Sequence, residues 1–561
     1  MDTKKYFEKN LAALSKRNTE LYRNLLQAKT NTGIYKFVET KTGGSIPAFI
    51  DKAGTARPLH SVIAPEREAE KIIGTVSGEA YIVILGFGAG FTTACALNNK
   101  NVKHVLLIDF NINGFAEILS SRDFVDLFNN SKLDILFDPS FLRIEQYILQ
   151  TYSPCLHGGM RTIPLQSRCN FDGEYFIPAS RAIKSALDNI AQDYSVQAVF
   201  GKRWFSNIIR NVYTLEKQNT VIEPVTRAAI CAAGPSLDFQ LDAIKKNINN
   251  FFLIATDTSL GTLLNAGIKP NAVISIDCQN ISYYHFEGYN IEDIPLFLDM
   301  ASPPLLTALS KKTFLFSSAH PLCSYIDTFL RNTIKIDSSG GNVTYAALSL
   351  AYSLGAKEIS VFGADFSYPQ GNIYTRGAYF YPYFHRRQNK LNTTESLVSS
   401  FLYKPQSLQM VSNDSNGSNW YYETSSLKMY KEKFQEKAAC LNCTLIPEKG
   451  LGAKIELKNK NHATTYTVPK PFLNGKLQNS AENFLNEYRK RITALGDNAQ
   501  DFLQLKKDPS NINGIVWNTL LPTAASIRYK EKINDIKALS QEVKNYCAKK
   551  IEVIVKAMHS F

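Results

Sequence analysis

The chain has 561 residues, of which 44% are hydrophobic and 20% charged, and a formal net charge of +13. This is a globular composition and excludes a wholly disordered protein. At about 150 residues per domain, the length predicts roughly three or four domains. The positive charge favours anionic partners. Because the basic residues are scattered and form no long polybasic arm, we favour nucleotide-type ligands and expect no nucleic-acid partner.

The cysteines and the apolar runs indicate the compartment. The chain has 9 cysteines, an odd number that is widely spread, which is typical of a reducing compartment and not of a disulfide scaffold. The N-terminus has no apolar signal region, and no apolar run reaches the ~20 residues of a membrane helix. We therefore expect a cytoplasmic protein without a membrane span.

The first part of the chain predicts a Rossmann-like domain. A helix is expected from Tyr6 to about Ala28. A buried strand then enters the glycine-rich turn GFGAG at Gly86 to Gly90, and after a helical segment a second strand runs from His104 to Phe110. Because the full dinucleotide fingerprint is absent, we interpret GFGAG as a structural connection that binds no nucleotide. A helical stretch from about Ser180 to Leu215 follows.

A second α/β pattern then begins, with a helix from Val343 to Gly355 that ends on a C-cap glycine. We interpret Tyr379 to Trp420 as a long loop or lid. From Ala481 onward the pattern is helical, with a break at Lys506 to Gly514. Strands alternating with helices predict a second, mostly parallel sheet. Its predicted strands are Ala228–Leu237, Phe251–Asp257, Ala272–Asp277, Phe314–Ala319 and Glu358–Phe366.

These elements predict an α/β protein with two Rossmann-like, mostly parallel-sheet domains and a helical C-terminal domain. The expected boundaries are 1–215 for the N-terminal domain with its linker helices, 216–475 for the central domain and 476–561 for the C-terminal domain.

Several candidate site residues follow strands of the central pattern. Gly234, Pro235 and Ser236 form a turn with free N–H groups at a helix start, which suits an anion. Asp257 and Asp277 end the second and third strands, where ligands of open α/β sheets bind. Two carboxylates there can hold a sugar hydroxyl, coordinate Mg²⁺ or Mn²⁺, or take a proton. The alternative is that each aspartate only caps a helix.

A second group of candidates surrounds the last predicted helix and strand. The turn before the helix offers small residues with exposed amides, a second phosphate cradle or else a plain capped turn. After the last strand, tyrosine hydroxyls can donate to a leaving phosphate, unless the rings simply pack. These candidates are Ser339, Gly340, Gly341, Asn342, Asp365, Tyr368 and Tyr374.

One histidine is a candidate by position. His385 lies in the expected lid beside Arg386 and Arg387, so it is either a catalytic group or part of a solvated basic loop. Cys440 and Cys443 have no second pair at metal-binding spacing, and we interpret them as incidental.

The central motifs resemble those of the motility-associated factor family, bacterial flagellin glycosyltransferases that use nonulosonic acids. The motifs are AAGPSLD, ATDTSLGTLLNAGIKPNAVISID, SSGGNVTYAALSLAYSLGAKEI and FGADFSY, in that order. LHSVIAPEREAEKI, which starts at Leu59, resembles the family's N-terminal domain, and GKRWFSNIIRN, from Gly201, resembles its linker. The resemblance covers roughly residues 55–375.

That family is in turn similar to bacterial sialyltransferases that use CMP-activated sugars. Those enzymes have Asn where this chain has Asp257 and Asp277, and a general-base histidine in a segment aligned near Trp420 to Thr424, where this chain has none. The base implied here is therefore Asp277, Asp257 or His385. The residues that match the donor-binding pattern are Gly234, Ser236, Ser339, Gly340, Asn342 and Tyr374.

The resemblance implies an enzyme that transfers a CMP-activated nonulosonic acid, pseudaminic- or legionaminic-like, to Ser or Thr hydroxyls of flagellin. Asp257 and Asp277 can also hold a divalent cation, Mg²⁺ or Mn²⁺. One alternative is a Mg²⁺-dependent pyrophosphokinase of the pterin type, because a related family shares the central motifs. Another is a non-catalytic chaperone that binds flagellin.

Overall fold

A computed structural model describes residues 3–50, 54–78, 80–219, 221–412, 419–457, 473–496, 508 and 510–558. The chain forms two compact units. The first comprises Met1–Val199, Gly496–Trp517 and Ala524–Gln541, and the second comprises Phe200–Leu495, Asn518–Thr523 and Glu542–Phe561. The C-terminal residues thus contribute to both units. The three predicted domain boundaries stay a prediction, because compactness does not say which segments fold alone.

The first unit holds a four-stranded parallel sheet and a three-stranded antiparallel sheet among its described residues. All six residues of β4 are buried, as expected for a parallel strand covered on both faces. The elements, the last of which continues into the second unit, are α1 Thr3–Ser15, α2 Thr19–Leu26, β1 Tyr35–Glu39, β2 Ser45–Ile50, β3 Ala56–Pro58, α3 Pro65–Ile73, β4 Ala80–Leu85, α4 Phe91–Asn98, β5 Val102–Asp109, α5 Ile112–Ser121, α6 Val125–Asn129, β6 Leu133–Phe137, α7 Phe141–Thr151, α8 Pro154–His157, β7 Gly159–Pro164, α9 Gln166–Phe171 and α10 Gly173–Lys217.

The single N-terminal helix predicted from Tyr6 to Ala28 is wrong. The structure has two helices, α1 and α2, with a break between them. The side chain of Asn18 caps α2 by accepting a hydrogen bond from the backbone N–H of Leu21 at 3.0 Å. A polar cap of this kind starts a new helix instead of continuing the old one.

The second unit is built on an eight-stranded parallel sheet, again counted over the described residues. A small antiparallel sheet in the order β15-β17-β16 accompanies it. The elements are β8 Arg227–Cys231, α11 Leu237–Asn247, β9 Phe252–Thr256, α12 Asp257–Asn265, β10 Ala272–Ser275, β11 Leu296–Asp299, β12 Thr313–Ser317, α13 Pro321–Phe329, β13 Ile334–Lys335, α14 Val343–Ser353, β14 Glu358–Phe362, β15 Tyr368–Pro369, α15 Phe380–His385, α16 Thr394–Tyr403, β16 Gln409–Ser412, β17 Trp420–Glu423, α17 Ser425–Cys440, β18 Thr444–Pro447 and α18 Ala481–Ala494. The last two helices, α19 Ile512–Glu531 and α20 Ile536–Met558, each contain residues of both units.

The large sheet has a topological switch point at β8, where the order in which strands are added reverses its direction. The order is β13-β12-β11-β10-β9-β8-β14-β18, so the chain leaves β8 in one direction and returns on the other side with β14. Cys231 at the end of β8 pairs with Ala255 of β9 and with Phe362 of β14. A crevice at the carboxyl ends of two such strands is the usual ligand position in open α/β sheets.

Two local predictions need correction. The stretch from Tyr379 to Trp420 is not a loop, because it contains α15, α16 and β16, and β16 pairs with β17. In the two parallel sheets, the strands β6, β7, β11, β13 and β18 were not predicted. The expected break at residues 506–514 lies partly outside the described residues, and α19 begins at Ile512.

The predicted fold class is confirmed: the protein is α/β, with two large parallel sheets and a helical C-terminal region. Among the helices of the described residues, none has the length and apolar character needed to cross a membrane.

Candidate functional site

The switch point of the large sheet is held by Ser236 and Asp365. Ser236 donates to the Asp365 carboxylate from its backbone N–H at 2.8 Å and from its hydroxyl at 2.5 Å. A Cβ atom on Gly234 would lie 2.3 Å from the same carboxylate, so only glycine permits this approach. Burial raises the pKa of Asp365, and the hydrogen bonds from Ser236 oppose that shift.

A returning loop covers this crevice. The N–H of Leu451 donates to the Ser236 hydroxyl at 2.7 Å, and the N–H of Gly452 donates to Asp365 at 3.1 Å. Ser236 is only 2% exposed, and Pro235 is buried beside it. The serine hydroxyl predicted to contact an anion is therefore engaged within the protein, where it ties β8, β14 and the loop after β18 together.

Asp257 and Asp277 lie at the ends of neighbouring strands, β9 and β10. Asp257 starts α12 and is 2% exposed. Its Oδ1 accepts from the N–H of Thr258 at 2.7 Å and its Oδ2 from the hydroxyl of Ser275 at 2.7 Å. Asp277 is half-buried, and its Oδ1 accepts from the N–H of Gln279 at 2.9 Å. Burial raises the pKa of Asp277, and the nearby negative charge of Asp257 raises it further.

The sequence prediction missed His285, which is an electrostatic neighbour of both aspartates. It ends the 3₁₀ turn Asn280–His285 after β10, and this turn packs against α12. Its Nδ1 is shielded from solvent and has no hydrogen-bond partner among the described residues. Burial lowers the pKa of His285 below 6.5, and the charges of Asp257 and Asp277 oppose that shift. The signal available in the sequence was a histidine in the same loop as Asp277.

Two tyrosines, Tyr374 and Tyr379, lie near this cluster. The ring of Tyr379 meets the imidazole of His285 with centroids 4.2 Å apart. Tyr374 stacks on Phe380 at 4.5 Å. Burial raises the pKa of Tyr374, and so do its electrostatic neighbours, which include Tyr368 and Asp257. A raised pKa keeps the phenol protonated and able to donate a hydrogen bond.

A further tyrosine links this cluster to the glycine turn before α14. Tyr430 of α17 is an electrostatic neighbour of Tyr368 and of Tyr374. Its ring would lie 3.1 Å from a Cβ atom on Gly341, which has a φ of +77°. The sequence prediction missed Tyr430, because a tyrosine in a helix of ordinary composition carries no site signal.

The glycine turn itself is held by Asn342 and Asp337. Asn342 caps α14 by accepting from the N–H of Tyr345 at 2.9 Å, and a Cβ atom on Gly340 would lie 2.2 Å from the Tyr345 ring. The N–H of the exposed Ser339 donates to Asp337 at 3.0 Å. Lys437 donates to the same carboxylate at 2.7 Å. Burial alone would raise the pKa of Asp337, but the hydrogen bonds from Lys437 and Ser339 bring it well below its usual range.

His385 does not join this cluster by any contact found among the described residues. It is exposed at the end of α15, where its Nδ1 lies 3.0 Å from the side-chain nitrogen of Gln388. The neighbouring Arg386 forms an ion pair with Glu287 at 2.5 Å.

In the first unit, the GFGAG turn is filled by side chains of the protein. The N–H of Ala89 donates to His60 Nε2 at 2.9 Å, and a Cβ atom on Gly88 would lie 2.3 Å from that nitrogen. The buried side chain of Arg168 crosses the turn beside Gly86 and approaches Asp109 at 3.4 Å. These contacts support the structural interpretation of the turn.

The two aspartates could contribute ligands to a divalent cation. Among the described residues, no group of three or more His, Cys, Asp or Glu side chains is placed to hold a metal ion. Two carboxylates are nevertheless a usual protein contribution to Mg²⁺, which takes its other ligands from water and substrate phosphates. Hydrogen bonds already occupy both oxygens of Asp257, so Asp277 is the more available ligand.

A solved structure of a bacterial protein is similar to this chain over nearly its whole length. The MAf glycosyltransferase of Magnetospirillum magneticum AMB-1 aligns with a TM-score of 0.62 over 99% of this chain and 96% of that one, at 14% identity. The two proteins share their fold. Residues 204–371, less than half of the chain, match the family described as 6-hydroxymethylpterin diphosphokinase MptE-like.

Two relatives come from Treponema pallidum (strain Nichols), and both are described only as uncharacterized proteins. One is 27% identical over 129 residues, which is 23% of this chain and 44% of that protein. The other is 33% identical over 143 residues, which is 25% of this chain and 67% of that protein. On that match, the chain belongs to the same family as the second of these Treponema pallidum proteins.

Proposed function

We propose that this protein is a glycosyltransferase that moves a CMP-activated nonulosonic acid to Ser or Thr hydroxyls of flagellin. The observation that carries the proposal is the cluster of Asp257, Asp277 and His285 at the carboxyl edge of the large sheet, with Tyr374 and Tyr379 beside it. The shared fold with a MAf glycosyltransferase supports it. The choice of sugar and acceptor is what the resemblance to the motility-associated factor family implies.

In the proposed reaction, the acceptor hydroxyl attacks the anomeric carbon of the sugar, and the bond from that carbon to the phosphate oxygen breaks. Tyr374 donates to the departing phosphate of CMP, together with the backbone amides of Gly340 and Asn342. The amides of Ser339 and Gly341 already donate to Asp337 and Ser338. His285 accepts the proton of the acceptor hydroxyl. Its lowered pKa keeps the imidazole neutral before the reaction, and the two carboxylates stabilise the imidazolium that forms.

A divalent cation remains part of the proposal. Asp277, with Asp257, would hold it, and a bound cation would offset the charge of the donor phosphate. Without the cation, the only role of the two carboxylates is to stabilise the imidazolium form of His285. The positions of the buried Asp257 and the half-buried Asp277 are compatible with either arrangement.

A pterin-type pyrophosphokinase is the second candidate, because residues 204–371 match the MptE-like family. It would bind ATP with Mg²⁺ at the same strand ends. A protein that only binds flagellin would bind neither nucleotide.

Calorimetry on the full-length protein separates these functions. We expect CMP to bind and ATP with Mg²⁺ not to bind. Tyr374→Phe should weaken CMP binding by roughly 1.5–3 kcal/mol, the value of one hydrogen bond to a charged group. Tyr352→Phe is the control, since Tyr352 is 39% exposed on α14. Binding of ATP with Mg²⁺ in place of CMP would favour the kinase.

A further inference from the structure

An open groove of about 610 Å³ lies beside the proposed site. It is lined by Tyr283, Tyr284, Leu305 and Tyr383, with Glu287 and Arg387 among the charged side chains. Tyr283 and Leu305 are 37% and 41% exposed, which is high for large apolar or aromatic side chains. The groove therefore offers aromatic rings and the aliphatic residues Ile281 and Leu305 to a ligand.

The groove is next to the proposed site in the fold, because residues of the same two elements belong to both. The turn that carries His285 also supplies Tyr283 and Tyr284, and α15 supplies Tyr383 just after Tyr379. The rings of Tyr284 and Tyr383 pack edge to face, with centroids 5.6 Å apart. A ligand in the groove thus contacts the elements that position the imidazole.

The charged side chains at the groove carry one more positive charge than negative charge: Arg386 and Arg387 against Glu287. Arg386 pairs with Glu287 at 2.5 Å and lies over the ring of Tyr284. Arg387 lies 3.7 Å from the ring centroid of Tyr383, and it forms no ion pair within the described part of the chain. The Glu287 charge is therefore matched, while Arg387 is available to a negatively charged partner.

We propose that this groove binds the acceptor as an extended polypeptide segment that carries a Ser or Thr beside acidic residues. The inference rests on the proposed glycosyl transfer. Tyrosine and arginine are enriched where proteins contact each other. Leu305 adds an apolar contact that a hydroxyl-rich glycan would not use, and Arg387 selects for acidic residues.

The test measures fluorescence anisotropy of two labelled peptides, GDSTSDG and its charge-reversed form GKSTSKG, with the full-length protein. The wild type should bind the acidic peptide at least 10-fold more tightly. Arg387→Glu should abolish or invert that preference, which a merely structural role would not do. Tyr283→Ala should lower the affinity for the acidic peptide at least 5-fold. Tyr352→Ala, which removes a tyrosine of similar exposure at 39%, should leave that affinity unchanged.

Unchanged affinities in both Arg387→Glu and Tyr283→Ala would overturn the proposal. Binding of a neutral oligosaccharide such as maltoheptaose without peptide binding would overturn it too, and would assign the groove to a glycan. Sugar transfer is measured separately. A wild type that binds the acidic peptide through Arg387 but transfers no sugar would contradict the proposed activity and leave the groove assignment in place.

Discussion

The imidazole of His285 meets the ring of Tyr379 edge to face, with centroids 4.2 Å apart and planes at 75°. The contact joins the turn after β10 to the start of α15. Both rings are electrostatic neighbours of Asp257 and Asp277, and for the imidazole these charges oppose the lowering of the pKa by burial. A neutral histidine held beside two carboxylates suits a general base.

Replacing His285 tests that role. We expect His285→Gln to lower the rate of sugar transfer by about 10²–10⁴-fold, the usual contribution of a general base. CMP binding should stay within twofold, because the imidazole does not contact the phosphate in the proposed reaction. His385→Gln is the control, since His385 is exposed on α15. If His385→Gln were the inactive variant, the base would be His385.

The pH dependence follows from the same group. The pKa of His285 lies below 6.5 and that of Asp277 above 3.8. Protonation of either group removes the base or its partner charge. The value of kcat/KM should therefore be flat at neutral pH and fall only at acidic pH, below the ordinary titration range of a histidine, because burial lowers the pKa of His285. A profile that rises with acidification would exclude a neutral His285 as the base.

Replacing Asp277 and removing divalent cations together test whether this residue binds a metal ion. Asp277→Asn should keep the fold, because the side chain is only half-buried and accepts one local hydrogen bond. It should lose transfer activity by at least about 10²-fold, whether Asp277 binds a cation or stabilises the imidazolium. Excess EDTA separates these roles: inhibition of the wild type supports the cation, and full activity rejects it. An active Asp277→Asn would remove the residue from the site.

The sequence predicted β4 and β5 of the first parallel sheet and β8, β9, β10, β12 and β14 of the large one, because buried parallel strands are apolar runs that end in polar residues. It did not predict β6, β7, β11, β13 and β18. Asp257, Asp277 and Asp365 were found in this way. The sequence did not reveal His285, because its position depends on a 3₁₀ turn and on packing by Tyr379 of a distant segment. It also did not show that the loop at Leu451 reaches the Ser236 hydroxyl, since these residues lie 215 positions apart.

The engaged hydroxyl of Ser236 leads to a stability prediction. Ser236→Ala removes a buried charge-assisted bond to Asp365 and leaves the Leu451 N–H without its acceptor. The free energy of unfolding should fall by about 1.5–3 kcal/mol. Denaturant unfolding of the full-length protein measures it, with the exposed Ser396→Ala as control. An unchanged stability together with weaker CMP binding would instead make Ser236 a ligand of the donor.

Intact-mass analysis of flagellin tests the proposed transfer most directly. Flagellin is incubated with the purified protein and CMP-pseudaminic or CMP-legionaminic acid, and the His285→Gln variant serves as the control. We expect the flagellin mass to rise by whole sugar residues with the wild type and to stay unchanged with the variant. An unchanged mass with the wild type, accompanied by a diphosphorylated pterin when ATP, Mg²⁺ and 6-hydroxymethylpterin are supplied, would contradict glycosyl transfer.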